Sequence, residues 1–249
     1  MTFATFEHLP DIDSTNAEAM RRAVAGERGP LWLSASRQTA GKGRSGRSWT
    51  SQAGNLHASL LTALEAPAAK AYQLSLVAGV AVYDALAAVL PEDQEKLLQL
   101  KWPNDILIRG AKAGGILIES SVLAGEAHPA RLAAVIGIGI NVDAHPEDLD
   151  RPATSLAAHG VRTEPATLLR NIAVAMEHWL AVWAGGAGFA AVREAWLTRA
   201  HPIGERMSIN TGSERLTGTF QGLDSEGGLL IDAGAGIRRF AFGDVSLLA

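Results

Sequence analysis

A chain of 249 residues has room for one large domain, or a large and a small one, with a full core and no staples. Hydrophobic residues make up 47% and charged residues 19%, which excludes a disordered or low-complexity protein. Lys+Arg 22 against Asp+Glu 26 leaves a net charge of -4, so no general drive towards nucleic acid or anionic membrane exists.

From the N-terminus, Met1 to Pro10 lacks a secretory signal pattern, and no apolar run reaches the roughly 18 residues of a membrane span. The absence of cysteine excludes disulfides, thiolate metal sites and a cysteine nucleophile, and it fits a reducing cytoplasm. Asp13-Ser14-Thr15-Asn16 then opens an Ala-rich helix, with Glu18 as its capping-box partner and Gly26 and Gly29-Pro30 as its stop. Leu31 to Ser36 reads as a buried strand, Thr39 to Gly54 as a glycine-rich loop, and Leu56 to Thr62 as a strand. Ala68 to Leu90 has helical spacing and ends at Pro91. Leu97 to Lys101, Ile106 to Ile108, Gly115 to Ser121 and Ala133 to Val142 read as strands with short breaks. Such breaks favour hairpins in an antiparallel or mixed sheet over a doubly wound one. Asp143 to Pro152 is an acidic loop, expected to be mobile, and Glu164 to Ala184 and Phe189 to Ala200 are helices. After His201-Pro202 only short β-type runs follow. The expected division is 1–201 and a small β-barrel over 202–249.

The stretch Gly41-Lys42-Gly43-Arg44-Ser45-Gly46-Arg47-Ser48-Trp49 spells G-x-G-x-x-G. A dinucleotide fingerprint needs a strand running straight in and a helix running out, and Arg37 to Ala40 and Ser48 to Gly54 supply neither. A phosphate-binding Walker loop fails because Gly43 follows Lys42. A plain solvated loop stays open, against a loop that closes over phosphate or carboxylate with amides and guanidinium forks. Lys101-Trp102-Pro103-Asn104-Asp105 ends a strand, and Lys112-Ala113-Gly114-Gly115 and Gly137-Ile138-Gly139-Ile140-Asn141 let a ligand approach strand backbone.

Five segments in order resemble one family: Asp13 to Asn16, Gln38 to Trp49, Lys101 to Asp105, Lys112 to Leu117 and Gly137 to Asn141. The set resembles the biotin protein ligases, which attach biotin to carboxylase carrier domains. The resemblance implies an α+β fold, with a class II synthetase-like catalytic domain of mixed sheet and helices and an SH3-like C-terminal barrel. It departs from the family loop at Lys42 and Ser45, where arginines are usual, and lysine loses the bidentate fork. The Ser-Thr-Asn motif begins at position 14, which leaves no room for the winged helix of larger members, so no repressor function is expected.

The resemblance also implies the chemistry. Biotin carboxylate attacks the α-phosphate of ATP to give biotinyl-adenylate and pyrophosphate, and a lysine of a biotin carboxyl carrier domain then displaces AMP. Lys112 and Arg44 are expected to clamp carboxylate and phosphate, with Arg47 and a Mg²⁺ ion on the leaving phosphates. Ser14, Thr15 and Gln38 would bind the ureido head, with Asn16, Lys42 and Gly43 beside them and Gly114 and Gly115 walling the chain. Trp49 would pack on adenine, and Asn104 and Asn141 would bond around the nucleotide. A free lysine near pKa 10.4 is only about 0.04% neutral at pH 7, so Asp105 is expected to orient the incoming amine or take its proton, slowing transfer alone when removed. Gly41 to Trp49 is expected to be mobile without ligand. No His/Asp cluster marks a dedicated metal site, and the family's habit of pairing at a sheet edge makes a homodimer an expectation to test. A lipoate or octanoate ligase, a non-catalytic biotin-binding regulator and a nucleic-acid module are the competing readings.

Overall fold

The computed structural model describes residues 4–122, 131–147 and 151–248. Its first half runs β1 (Thr5–Ile12), α1 (Thr15–Val24), β2 (Leu31–Gln38), β3 (Leu56–Glu65), α2 (Gln73–Ala87), the short α3 (Glu92–Glu95), β4 (Leu98–Lys101) and β5 (Asp105–Ile108). It continues with β6 (Ala111–Val122), β7 (Arg131–Ile140), α4 (Pro165–Trp183) and α5 (Phe189–Arg199). The strands β1 to β7 form one sheet in the order β1-β2-β3-β7-β6-β5-β4. Only β1 and β2 pair in parallel, and every other neighbour is antiparallel, as the short connections require.

Alternation along β3 and β7 assigns the two faces. Ala58, Leu60, Ala134, Ile136 and Ile138 belong to the main core with α2 and α4. Leu61, Ala133 and Val135 pack instead with Ala19 and Ala23 of α1. The helix α2 is buried on nearly every side, so it carries apolar residues all round rather than on one stripe.

The C-terminal strands β8 (Arg206–Asn210), β9 (Arg215–Leu223), β10 (Leu229–Asp232), β11 (Ile237–Phe240) and β12 (Asp244–Leu247) form an antiparallel sheet. Its order is β11-β10-β9-β8-β12. The apolar core runs on into it through Met207, Ile209, Phe220 and Leu229. Between the sheets, buried Trp102 donates from Nε1 to the Gly227 carbonyl at 3.1 Å.

Several local expectations change. The strand β1 was not expected: its side chains are largely exposed, so it lacks an apolar pattern, and backbone pairing with β2 creates it. The cap of α1 is Ser14, which accepts from Ala17 N at 3.4 Å, so Glu18 lies one position beyond the capping box. Glu18 pairs with Arg21 and Arg22 instead, each at 2.9 Å. The long helix starts at Gln73, because residues Ala68–Lys70 form a separate 3-10 turn. Of the expected loop 143–152, residues 148–150 lie outside the described residues. Its start is held by Asn55, whose Oδ1 accepts from the backbone N–H of Val142, Asp143 and Ala144.

Candidate active site

The helix α1 covers only part of its face of the sheet. At its N-terminus Asn16 rests on Gly137, where an added Cβ would collide with the Asn16 amide. Beyond it the face is bare backbone at Gly139 and Gly115, which are paired across β7 and β6. The loop between β2 and β3 folds over this floor. A Cβ on Gly139 would lie 2.5 Å from the Trp49 ring, and one on Gly115 would lie 3.4 Å from it. Glycine is needed at Gly139 because the indole occupies the space a side chain would take, while at Gly115 the ring only reaches contact distance.

The loop itself is hydrogen-bonded. Gly43 N donates to Arg47 O at 2.7 Å and Trp49 N to Gly41 O at 2.9 Å, around a turn with Ser45 at φ 56°. That left-handed turn lets Arg44 and Arg47 point inward while Ser45 is exposed.

One end of the pocket is lined by uncharged polar groups, Ser14, Thr15, Asn16 and Gln38, backed by a hydrogen-bond net that ends on the Glu119 carboxylate. Thr15 donates to Gln38 Oε1 from N at 2.9 Å and from Oγ1 at 3.2 Å, and Gln38 Nε2 donates to Ser51 Oγ at 3.1 Å. Ser59 Oγ lies 2.8 Å from Thr15 Oγ1 and 2.6 Å from Asn16 Oδ1, and Asn16 Nδ2 donates to Glu119 at 2.8 Å.

The other end is a cation cluster around one carboxylate. Asp105, 6% exposed, pairs with Lys112 and with Lys101 at 2.9 Å, and Arg151 stands 3.7 Å away. Burial pushes the Asp105 carboxyl up, but Lys112 and Lys101 overcome it and hold it well below the usual carboxylate range. Burial pushes the Lys112 ammonium down, against the opposing pull of Asp105. Its Nζ lies 5.7 Å from the centre of the Trp49 ring. Asn104 ties the arginine loop to β6, accepting from Arg44 at 3.2 Å and donating to Ile116 O at 2.7 Å. Arg47 donates to Asp244 at 2.7 Å, a residue of β12.

The lining therefore brings together Ser14, Thr15, Asn16, Gln38, Lys42, Gly43, Arg44, Arg47, Trp49, Asn104, Asp105, Lys112 and Gly115. Gly114 and Asn141 do not line it. Gly114 packs on Ile140, and the Asn141 amide is spent on the carbonyls of Lys112, at 3.4 Å, and Thr154, at 2.9 Å, holding that turn. Sequence reasoning did not assign Lys101, Ser59, His57, Arg151 or Asp244, all of which meet here or support the lining. Lys101 opens the motif that ends at Asp105, so its local signal was present. The others carry no local signal, since strand register and the second sheet bring them in.

Among the described residues no group of three or more His, Cys, Asp or Glu could hold a metal ion. None of the described helices is long and apolar enough to cross a membrane.

Residues 9–141 match the Biotin/lipoate A/B protein ligase family, and residues 203–248 match the Biotin protein ligase C terminal domain. The chain is 38% identical over 234 residues to a biotin–[acetyl-CoA-carboxylase] ligase of Paracoccus denitrificans, covering 92% of this chain and 94% of that one. A protein of the same name from Mycobacterium tuberculosis is 33% identical over 241 residues, covering 93% and 85%. A solved biotin protein ligase from Aquifex aeolicus, in complex with biotin and ATP, superposes with TM-score 0.79 at 30% identity and 99% coverage of both chains. With matches over both its parts, the chain belongs to the biotin/lipoate A/B protein ligase family and, within it, to the biotin protein ligases.

Proposed function

We propose that this protein activates biotin with ATP to biotinyl-5′-AMP and transfers the biotin to a lysine of a biotin carboxyl carrier domain. One observation carries the reading: a polar, uncharged niche and a buried cation cluster stand at opposite ends of a pocket floored by Gly137, Gly139 and Gly115. A ligand with an amide-like head, an apolar chain and a carboxylate matches that order. Ser14 and Thr15 supply hydroxyls for the ureido head, while buried Ser59 is bonded to Thr15 and Asn16 and the Gln38 amide has partners at both ends, so both mainly hold that pair in place.

The carboxylate would lie at Lys112, beside Arg44. Bringing an anion against a polyphosphate needs positive charge fixed in advance in a dry site, and such preorganised charge lowers the barrier more than any other single device. Lys112, Lys101 and Arg151 outnumber Asp105, so the cluster keeps net positive charge for the phosphates. Arg47 would meet the leaving pyrophosphate on release from Asp244. The nucleotide would bring Mg²⁺ on its own phosphates, since Asp105 is engaged by lysines and Asp244 by Arg47.

Asp105 takes a narrower part than the sequence alone suggested. A carboxyl held so far below its usual range is a weak base, so Asp105 fixes Lys112 and attracts the incoming amine rather than accepting its proton. Its loss should then slow adenylate formation as well as transfer.

The test is ATP–pyrophosphate exchange with Mg²⁺, run with biotin, lipoate, octanoate and no acid. Exchange with biotin alone supports the assignment. Exchange with lipoate or octanoate keeps the chemistry but overturns the niche, and binding of biotin without any exchange points to a regulator.

A further inference from the structure

A buried residue outside the expected set lines this pocket at the edge of the glycine floor. His57 is 1% exposed and lines the pocket, yet its Nδ1 has no hydrogen-bond partner. Its Nε2 lies 3.3 Å from the backbone oxygen of Gln52. A carbonyl only accepts, so Nε2 carries the proton and Nδ1 of the neutral ring offers a lone pair. Burial lowers the His57 pKa, which favours that neutral form.

Register gives this lone pair its place. His57 pairs with Gly139, Gly139 with Gly115, and Gly115 with Asp105, so the four form one row across β3, β7, β6 and β5. Ser59 and Gly137 lie in the next row, at the head-group niche. The His57 row therefore starts at the cation cluster, where the activated carboxylate would meet phosphate, runs over Gly115 and Gly139, and ends at His57, one row removed from the head-group niche. Trp49 lies over Gly139 in the same row, and its Nε1 is likewise buried without a partner.

We propose that His57 is a specificity-determining residue that reads the base of the nucleotide, its Nδ1 accepting from the exocyclic amine of adenine. Guanine presents an oxygen at that position, which would face the lone pair and leave two acceptors opposed. The inference rests on the ligase reading for its choice of a nucleotide. A buried polar group matched to a substrate N–H rejects an analogue lacking it, because the protein group is then stranded without water.

The experiment compares ATP, purine riboside 5′-triphosphate (no exocyclic amine) and 2′-deoxy-ATP in biotin-dependent pyrophosphate exchange. It uses wild type, His57→Leu and His57→Asn, with thermal unfolding as a check on folding. Titration of adenosine against purine riboside gives a binding readout that needs no turnover. Wild type should prefer ATP over the purine analogue by about tenfold in kcat/KM. His57→Leu should lose most of that preference, and His57→Asn, which keeps an acceptor near the Nδ1 position, should retain part of it. Equal use of the two bases by wild type, an unchanged preference in His57→Leu, or a loss that follows the 2′-hydroxyl would each overturn the proposal. A base preference in binding without any exchange would uphold His57 and sink the ligase reading instead.

Discussion

Replacing Asp105 by asparagine keeps the shape of the side chain and removes its charge. Two ammonium groups, Lys101 and Lys112, then share a buried site with an amide, and their side chains are only 11% and 12% exposed. Removing one partner of a buried ion pair costs about 3–5 kcal/mol, and the lower end applies because lysine stems can swing towards water. Against a typical total stability of about 5–15 kcal/mol that is a large share. For a chain of this size each kcal/mol shifts Tm by about 2–4 °C, so Asp105→Asn should melt about 6–12 °C lower.

Because the pair is buried, raising the salt should change that difference little. Adding Lys112→Met to Asp105→Asn removes one stranded charge, so the double variant should be more stable than the sum of the singles by at least about 1 kcal/mol. Thermal and urea unfolding measure both quantities, and rapid-quench assays of adenylate formation and transfer measure the chemistry. A Tm loss under about 2 °C, or additive singles, would refute a buried network held by Asp105. Slowing of transfer alone would refute the positioning role.

Three further outcomes follow from single contacts. Gly139→Ala places a methyl 2.5 Å from the Trp49 ring and should push the indole off its floor. The KM for ATP should then rise on the order of tenfold or more while biotin binding alone changes less, and an unchanged KM would show that Trp49 does not serve the nucleotide. Asp244→Asn frees Arg47 from a half-exposed ion pair, so stability should move by no more than about 1 kcal/mol. The KM for ATP should fall at low ionic strength and recover with salt, and a rise would mean Asp244 holds Arg47 in its working place. His57 and His201 are buried and their pKa values lie below the ordinary histidine value. The unfolded chain therefore binds more protons in that range, so their stabilising effect is full above about pH 6.5 and is lost as pH falls. Urea midpoints measured down through this window should drop, and a flat profile would contradict two neutral buried rings.

Motif residues were legible because their chemistry is local. The glycine and arginine spacing of Gly41 to Arg47, the strand-ending proline of Lys101 to Asp105 and the glycines of β6 and β7 each restrict the backbone wherever they occur. The strands flanking them were legible too, because a sheet covered on both faces leaves short, nearly continuous buried runs such as Leu31 to Leu33 and Ile106 to Ile108. By contrast β1 exists through pairing with β2 and leaves no such imprint.

What the sequence determined by itself was the list of groups and the order of elements. The tertiary structure decided which groups face one another. Register put His57, Gly139, Gly115 and Asp105 in one row, and β12 brought Asp244 to Arg47 across nearly the whole chain. It also spent the Asn141 amide on a turn and set Asp105 between lysines, changing what each can do. Local patterns record which side of an element is buried, while distances between elements are fixed only when several of them pack at once.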